Sequence, residues 1–269
     1  MAMCVRWGEE RSDSLRQVVA VLAGAPNDPS WNAVHSQAAK AMENVREYAA
    51  CGTGVSYGGG QKCPGNLVNS EINGKMLECL LQDHNISRIA GFASSAFETW
   101  APKLYKYYVD HLQPLYTKYF ELKRNFANSI FAGTTFNFGP ATCTVDHRDS
   151  ANLAFGWCSV TALGDFNPML DGHLVLWDMK LVIEFPPSST ILIPSAIILH
   201  SNVAIGEGES RSSFMQYTAG SLFQWVDLGF QPISVYCEGL NSAEKKAEEL
   251  QAREHWEIGM DMFSALSFL

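Results

Sequence analysis

The chain from residue 129 to about 218 is a succession of short apolar segments separated by turn residues. The segments "FGWCSVTAL", "GHLVLWD", "KLVIEF" and "AIILHSNV" are rich in β-branched and aromatic residues. Segments of this composition, bounded by Gly, Pro, Asn or Asp, indicate β-strands. About seven or eight strands in roughly 90 residues predict a compact antiparallel barrel or jelly roll.

The first third of the chain has helical signatures instead. Ser14 and Gln17 match a capping box, and a glycine follows at position 24, so we predict a helix over 14–24. Apolar residues spaced by three or four positions are typical of a helix with one buried face. This spacing predicts further helices from residue 31 onward, over 71–83 and over 97–119.

Two other segments complete the organisation of the chain. Residues 51–66 contain six glycines and predict a loop. Asn241 and Glu244 match a second capping box, ahead of a long helical pattern near the C-terminus. We therefore expect one α+β domain over 1–269, with a mainly helical part over 1–128, a jelly-roll core over 129–220 and a helical tail over 221–269.

Composition limits the class of protein. Hydrophobic residues make up 47% of the 269 positions and charged residues 17%, which favours a large packed core. No apolar run approaches the roughly 20 residues of a membrane-spanning helix, and the first residues lack a signal-peptide pattern. The seven cysteines include no C-x-x-C pair, which favours reduced thiols inside the cell. The net charge of −9 disfavours non-specific binding to nucleic acid.

The segment "VDHRDSAN" at 145–152 is the most informative motif, and three interpretations of it compete. It could be a kinase catalytic loop, a metal-binding H-x-D or an ordinary charged turn. A kinase needs Asn five residues after the Asp and a D-F-G further on. Position 154 is Ala, and residues 164–166 are G-D-F, so the kinase interpretation fails. "GGGQK" is not a P-loop either, because neither Ser nor Thr follows it.

The metal-binding interpretation gains support from residues further along. His147 and Asp149 are two positions apart, so in an extended segment both side chains point the same way. His200 lies in an apolar strand about 50 residues later; alone, it would more often be a hydrogen-bonded core residue. Arg211 and Ser213 share one face of the next strand and could clamp a carboxylate, although an exposed strand-end arginine is the alternative. The joint order favours a 2-His-1-carboxylate iron site.

This order of residues resembles the double-stranded β-helix of the Fe(II)/2-oxoglutarate-dependent dioxygenases. "HRDSAN" resembles the H-R-D-x-x-N of the ten-eleven-translocation (TET) methylcytosine dioxygenases, and "RSSFMQY" resembles their R-x-S-x-x-x-Y. Together with "GGGQKCPGN", "TFNFGP", "GHLVLWD" and "FPPSSTILIPSAIILHSN", these motifs resemble the fungal TET/JBP-like dioxygenases. The resemblance extends over roughly residues 55–230.

The resemblance implies specific roles for five residues. His147, Asp149 and His200 would hold Fe(II). Arg211 and Ser213 would bind the distal carboxylate of 2-oxoglutarate, with O₂ as the second co-substrate. The implied reaction oxidises the methyl group of a methylated base, which requires the base to be flipped out of the duplex.

The resemblance also implies substrate contacts. Asn152 matches the asparagine that hydrogen-bonds the flipped base, and Tyr217 matches the tyrosine that stacks on it. Ala219 stands where the animal enzymes have a histidine at the cytosine edge, which puts base identity in doubt. Gln61 and Lys62, in the glycine-rich loop, are candidates for a DNA-facing segment, although a plain surface loop is equally compatible with the sequence.

Four interpretations of the function therefore stay open. The favoured one is oxidation of 5-methylcytosine in DNA to 5-hydroxymethylcytosine and further oxidised forms. The alternatives are demethylation of N6-methyladenine, hydroxylation of a small molecule or protein, and a barrel without catalytic activity that only binds a ligand. A nuclear location follows only from the DNA substrate. Ser188, in "PPSS", replaces the glycine expected in this turn, so we expect backbone strain there.

Overall fold

The computed structural model describes residues 3–6, 17–45 and 49–265 of the chain. Within these residues, two antiparallel sheets lie among α-helices. The strands are β1 Met3–Arg6, β2 Val18–Gly24, β3 Ala50–Ser56, β4 Gly65–Asn66, β5 Gly133–Asn137, β6 Cys158–Asp165, β7 Leu174–Leu176, β8 Leu181–Ile183, β9 Thr190–Ile193, β10 His200–Asn202 and β11 Ser210–Tyr217. The helices are α1 Trp31–Asn44, α2 Glu71–Gln82, α3 His84–Trp100, α4 Pro102–Lys118, α5 Gly220–Asp227, α6 Ile233–Glu238 and α7 Ser242–Met260.

The larger sheet has the strand order β1-β2-β9-β6-β11-β5-β3-β4, and the smaller one has the order β10-β7-β8. Every neighbouring pair of strands is antiparallel. The two longest neighbours, β6 and β11, form the centre of the larger sheet. An isolated bridge between His147 and His200 joins the segment before β6 to the edge of the smaller sheet. This bridge brings together residues that are far apart in the chain.

Strand β11 shows how alternation positions the candidate site. Successive side chains of a strand point to opposite faces, so Arg211, Ser213 and Tyr217 share one face and Phe214 lies on the other. Phe214 is buried and contacts the rings of Phe126 and Phe136, in a cluster that also contains Trp31 of α1 and apolar residues of α3. Tyr217, on the opposite face, packs against a buried cluster that includes residues of the smaller sheet. The polar face of β11 is therefore enclosed between the two sheets.

The helical face of the larger sheet carries most of the aromatic core. Phe97 of α3 is completely buried and contacts the rings of Tyr108 and Trp157 at centroid distances of 5.1 and 5.3 Å. Burying one large apolar side chain stabilises a fold by about 1.5–3 kcal/mol. The aromatic cluster thus stabilises the helical face of the larger sheet. The opposite face carries the polar side chains of β11.

The helix predicted over 14–24 is wrong where the structure describes it, because Val18–Gly24 forms strand β2. The capping pattern is local, whereas the run "VVAVLAG" pairs with β1 on one side and β9 on the other. A strand that is buried on both faces is apolar at every position, so it lacks the alternation of apolar and polar residues that usually indicates a strand. Residues 51–66 are likewise more than a loop, because β3 and β4 occupy parts of them. The part over 1–128 consequently adds four strands to the sheet.

Other predicted elements agree with the structure. The patterns from residue 31 and over 71–83 correspond to α1 and α2. The single pattern over 97–119 spans the end of α3 and all of α4, which begins at Pro102. Proline is favoured in the first turn of a helix, so it marks a boundary here. The capping box of Asn241 and Glu244 is confirmed at the start of α7. In the described part of the chain, no helix has the length and apolar character needed to cross a bilayer.

Candidate active site

The structure brings His147, Asp149 and His200 together. Potential ligand atoms of these three side chains all lie within 4.8 Å of one another. The backbone places them, because His147 and His200 exchange two N–H···O hydrogen bonds of 3.0 Å. The two imidazole rings are consequently adjacent, with centroids 4.3 Å apart. Asp149 joins them because its N–H donates to the carbonyl of Ser195 at 2.9 Å.

Both histidines are oriented by backbone carbonyls. His147 Nδ1 lies 2.8 Å from the carbonyl oxygen of Val145, and His200 Nδ1 lies 2.9 Å from that of Ile198. A carbonyl oxygen only accepts hydrogen bonds, so each Nδ1 carries the proton and each Nε2 presents a lone pair. Metal-binding histidines are held in this way. Burial lowers the pKa of His200, which keeps its ring in the neutral form that a metal requires.

Asp149 has the property that best fits a cation. Its Oδ2 is buried and has no hydrogen-bond partner among the described residues, and its Oδ1 is 3.7 Å from His147 Nε2. A buried carboxylate oxygen without a partner is costly, because it has lost water and gained nothing in exchange. A divalent cation between the carboxylate and the two Nε2 atoms would offset this cost. Two imidazoles and one carboxylate on one side of the ion are the donor set of non-haem Fe(II) sites.

Arg211 is a buried cation on the polar face of β11. Only 3% of its surface is exposed, and burial lowers its pKa to about 10, so it remains charged at neutral pH. Its Nη1 donates to the carbonyl of Thr142 at 3.0 Å, whereas its buried Nε has no hydrogen-bond partner among the described residues. None of the described carboxylates forms an ion pair with Arg211. The guanidinium therefore has unused donors for an anionic ligand.

Ser213 lies on the same face, two residues from Arg211. Its Oγ accepts a hydrogen bond of 2.9 Å from Asn137 Nδ2, which fixes the position of the hydroxyl. The hydroxyl can still donate its own hydrogen. A guanidinium and a hydroxyl side by side match the distal carboxylate of 2-oxoglutarate, so these residues fit that group.

A cleft of about 840 Å³ brings together several of the predicted substrate residues. Its lining includes Gln61 with the neighbouring Gly58 and Gly59, and Asn152 with Ala219. Asn152 Nδ2 donates to Ser195 Oγ at 3.2 Å, so its amide is held in place. The three glycines at 58–60 all have positive φ, which lets the loop curve tightly at the cleft. None of the described residues that line this cleft is charged.

Tyr217 and Lys62 are placed differently from these cleft residues. The Tyr217 ring packs over Gly133, where an added Cβ would lie 3.0 Å from it. Its hydroxyl accepts a hydrogen bond of 3.3 Å from Thr135 Oγ1. Lys62 is exposed, next to Gln61, and lies outside the set of cleft-lining residues. Gln61 and Asn152 therefore line the same cleft, whereas Tyr217 and Lys62 are not among its described lining residues.

One residue that supports the site, Ser195, was not predicted from the sequence. Ser195 is 1% exposed and supports both Asp149, through its carbonyl, and Asn152, through its hydroxyl. It stands in "LIPSAII", part of a segment that carries the family resemblance, but no residue pattern there indicates this supporting role. The strain expected at Ser188 is confirmed, because its φ is +73°. A non-glycine residue in the left-handed region is destabilised by its Cβ.

The chain was compared with known proteins by sequence and by structure. No family model matches it, and no curated protein matches it by sequence. The solved structure of NgTET1 in complex with 5mC DNA is similar in fold, with a TM-score of 0.57 and 16% sequence identity. The similarity covers 76% of this chain and 73% of the other. The chain therefore has a TET-like fold.

Proposed function

We propose that the chain is an Fe(II)/2-oxoglutarate-dependent dioxygenase of the fungal TET/JBP-like type, built on a double-stranded β-helix. Its substrate is the methyl group of a flipped methylated base in DNA, with 5-methylcytosine favoured. The observation that carries the proposal is a pair of unsatisfied buried groups: the free Oδ2 of Asp149 beside two imidazoles, and the free Nε of Arg211. A cation would stabilise the carboxylate oxygen of Asp149, and an anion would stabilise the guanidinium nitrogen of Arg211.

The residues of the chain have distinct tasks in this reaction. His147, Asp149 and His200 hold the metal, and the carbonyls behind the histidines fix their rings. Arg211 and Ser213 orient the co-substrate through its distal carboxylate. When bound, Fe(II) and 2-oxoglutarate supply the chemistry that converts a methyl group to hydroxymethyl with O₂, releasing succinate and CO₂. Because Arg211 is buried, the carboxylate is held away from water, which strengthens its hydrogen bonds.

The cleft lined by Asn152 is the candidate site for a nucleobase, although its described lining does not include His147, Asp149 or His200. A base inside a duplex cannot reach a recessed metal, so it must leave the stack. The cleft offers amide groups from Gln61, Asn152 and Gln224, which can hydrogen-bond the edge of a base. The fold neighbour was solved with 5mC DNA, which makes this substrate the first to test. With this substrate, a nuclear location is part of the proposal.

A second candidate is hydroxylation of a small molecule or a protein. The net charge of −9 favours it, because an acidic surface repels the phosphates of DNA. Demethylation of N6-methyladenine in DNA is a variant of the main proposal, because Ala219, which lines the cleft with Asn152, has no polar side-chain group to select cytosine.

The test is direct oxidation of DNA. The purified chain is incubated with Fe(II), 2-oxoglutarate, O₂ and duplexes that contain either 5-methylcytosine or N6-methyladenine, and the nucleosides are quantified by mass spectrometry. We expect loss of 5-methylcytosine with formation of 5-hydroxymethylcytosine, and no turnover by Asp149→Ala. Loss of neither methylated base would refute the DNA proposal. Continued succinate formation without DNA would then direct the search to other substrates.

A further inference from the structure

Arg148 separates the two ligands of the H-x-D motif, and its side chain points away from them, as alternation requires. Its Nε donates to the carbonyl of Ile197 at 2.8 Å. Its Nη2 lies 3.1 Å from both carboxylate oxygens of Asp178. The guanidinium therefore contacts two segments outside its own, each close in space to the candidate metal centre.

Asp178 extends this contact to the third ligand. It lies in the short 3₁₀ helix Trp177–Met179 after β7, and its Oδ2 accepts the N–H of Leu199 at 2.6 Å. Leu199 immediately precedes His200, and its carbonyl accepts the N–H of Trp177 at 2.9 Å. Arg148 and Asp178 thus form a chain of hydrogen bonds from the segment with His147 and Asp149 to the segment with His200.

We propose that Arg148 and Asp178 are positioning residues that hold the two ligand-bearing segments at the separation a divalent metal requires. The segments are also linked directly, by the His147–His200 backbone pair, by the hydrogen bond from Asp149 N–H to Ser195 and by the hydrogen bonds of Thr144 to the side chain of Asn202. Without metal, these links must hold the buried Oδ2 of Asp149 beside two imidazoles, although no described residue donates a hydrogen bond to this oxygen. The ion pair adds a side-chain link behind the ligands, where it touches neither metal nor substrate.

The location of the pair distinguishes this role from simple stabilisation of the fold. The side chains of Arg148 and Asp178 are 45% and 30% exposed. An ion pair this accessible contributes little to folding, so its loss should lower the Tm by less than about 4 °C. Residues that orient metal ligands, by contrast, typically change metal affinity by about 10–100-fold when replaced. A role in positioning therefore predicts a large effect on metal binding and a small one on the metal-free protein.

The experiment measures metal affinity rather than turnover. Metal-free wild type, Arg148→Gln, Asp178→Asn and the double variant are titrated with Co(II), and Kd is obtained from the visible absorption bands. We expect each single variant to raise Kd about 10–100-fold. The double variant should be no worse than the poorer single variant, because both changes break the same link. The Tm of each metal-free protein is measured in parallel.

Arg88→Gln is the matched control, because Arg88 pairs with Asp28 in an ion pair of similar exposure, 32% and 34%, elsewhere in the fold. Its Kd should equal that of wild type. Arg148→Lys keeps the charge but not the fork of donors, so it should give an intermediate Kd. Asp178→Asn is isosteric, so it keeps the test valid if Arg148→Gln folds poorly.

Unchanged Kd values in both single variants would overturn the inference, and so would a large fall in Tm with no change in Kd. The inference rests on the metal centre of the proposed function but not on its substrate. A wild type that binds Co(II) and shows the expected variant pattern, yet leaves methylated DNA intact, would refute the proposed substrate alone. A wild type that binds no Co(II) would refute both.

Discussion

Replacing Arg211 by Met tests whether this buried cation serves a ligand or the fold. Methionine has a similar length and is apolar, so it fills the space without the charge. The substitution removes the hydrogen bond from Nη1 to Thr142 O, but that carbonyl keeps Asn202 Nδ2 as a donor at 3.4 Å. Losing one charged hydrogen bond costs about 1.5–3 kcal/mol. Removing a buried donor without a partner, the Nε, recovers about 1–3 kcal/mol.

The two contributions nearly cancel, so the free energy of unfolding of the ligand-free Arg211→Met protein should stay within about 2 kcal/mol of wild type. Binding of 2-oxoglutarate should behave differently. The distal carboxylate loses its guanidinium partner, and two charged hydrogen bonds together contribute at least about 3 kcal/mol, or roughly 100-fold in affinity. The variant therefore separates stability from ligand binding, which few core substitutions do.

The assay combines urea unfolding of the ligand-free protein with calorimetric titration of 2-oxoglutarate into the Co(II)-loaded protein. We expect similar unfolding midpoints and a Kd for 2-oxoglutarate raised about 100-fold or more in Arg211→Met. Arg88→Gln serves again as the control for loss of a surface cation. If Arg211→Met binds 2-oxoglutarate with wild-type affinity, the guanidinium does not hold the carboxylate. A loss of stability well above 2 kcal/mol would show that Arg211 serves the fold.

Three further predictions concern other parts of the molecule. Ser188→Gly should stabilise the protein by about 0.5–1 kcal/mol in urea unfolding, because glycine tolerates the φ of +73°; an unchanged or lower midpoint would contradict strain at this position. Burial lowers the pKa of His111, but its hydrogen bonds to Asp227 and Tyr107 outweigh burial and raise it. The His111–Asp227 pair thus contributes stability below the unfolded pKa that is lost as pH rises through the raised folded pKa, and the Tm of Asp227→Asn should depend less steeply on pH over that interval. Asn152→Ala should lower kcat/KM for a methylated duplex about 10-fold and leave substrate-independent succinate formation unchanged; an equal fall in both rates would place Asn152 in the metal site instead.

The site residues that could be predicted from the sequence are those whose side-chain type and spacing form a short, recognisable pattern. His147 and Asp149 are two residues apart in an extended segment, and Arg211 and Ser213 repeat that spacing in a strand. Their convergence with His200 was predicted from the order of the motifs together with the topology that the resemblance implies. The structure adds the reason for this convergence, which is a backbone bridge between His147 and His200.

The parts that were not predictable depend on backbone groups and on distant partners. The carbonyls of Val145 and Ile198 select the histidine tautomers, yet any residue would supply the same carbonyl. Strand β2 is explained by pairing with β9, about 170 residues away, and a capping pattern cannot reveal that pairing. Ser195 combines both difficulties, because its carbonyl and its hydroxyl contact two different residues that lie more than 40 positions earlier in the chain.

The electrostatics of the cleft bear on how an acidic chain can accept DNA. Binding that relies on phosphate neutralisation needs lysine and arginine at the contact, and it weakens steeply with salt. The described cleft lining has none of these residues, and several cations outside it are already engaged. Lys106 pairs with Asp110, while Lys118 and Arg124 lie over aromatic rings. For the proposed substrate, specificity would therefore come from amides around the base, and Lys62, which is exposed beside Gln61, stays a predicted DNA-facing residue.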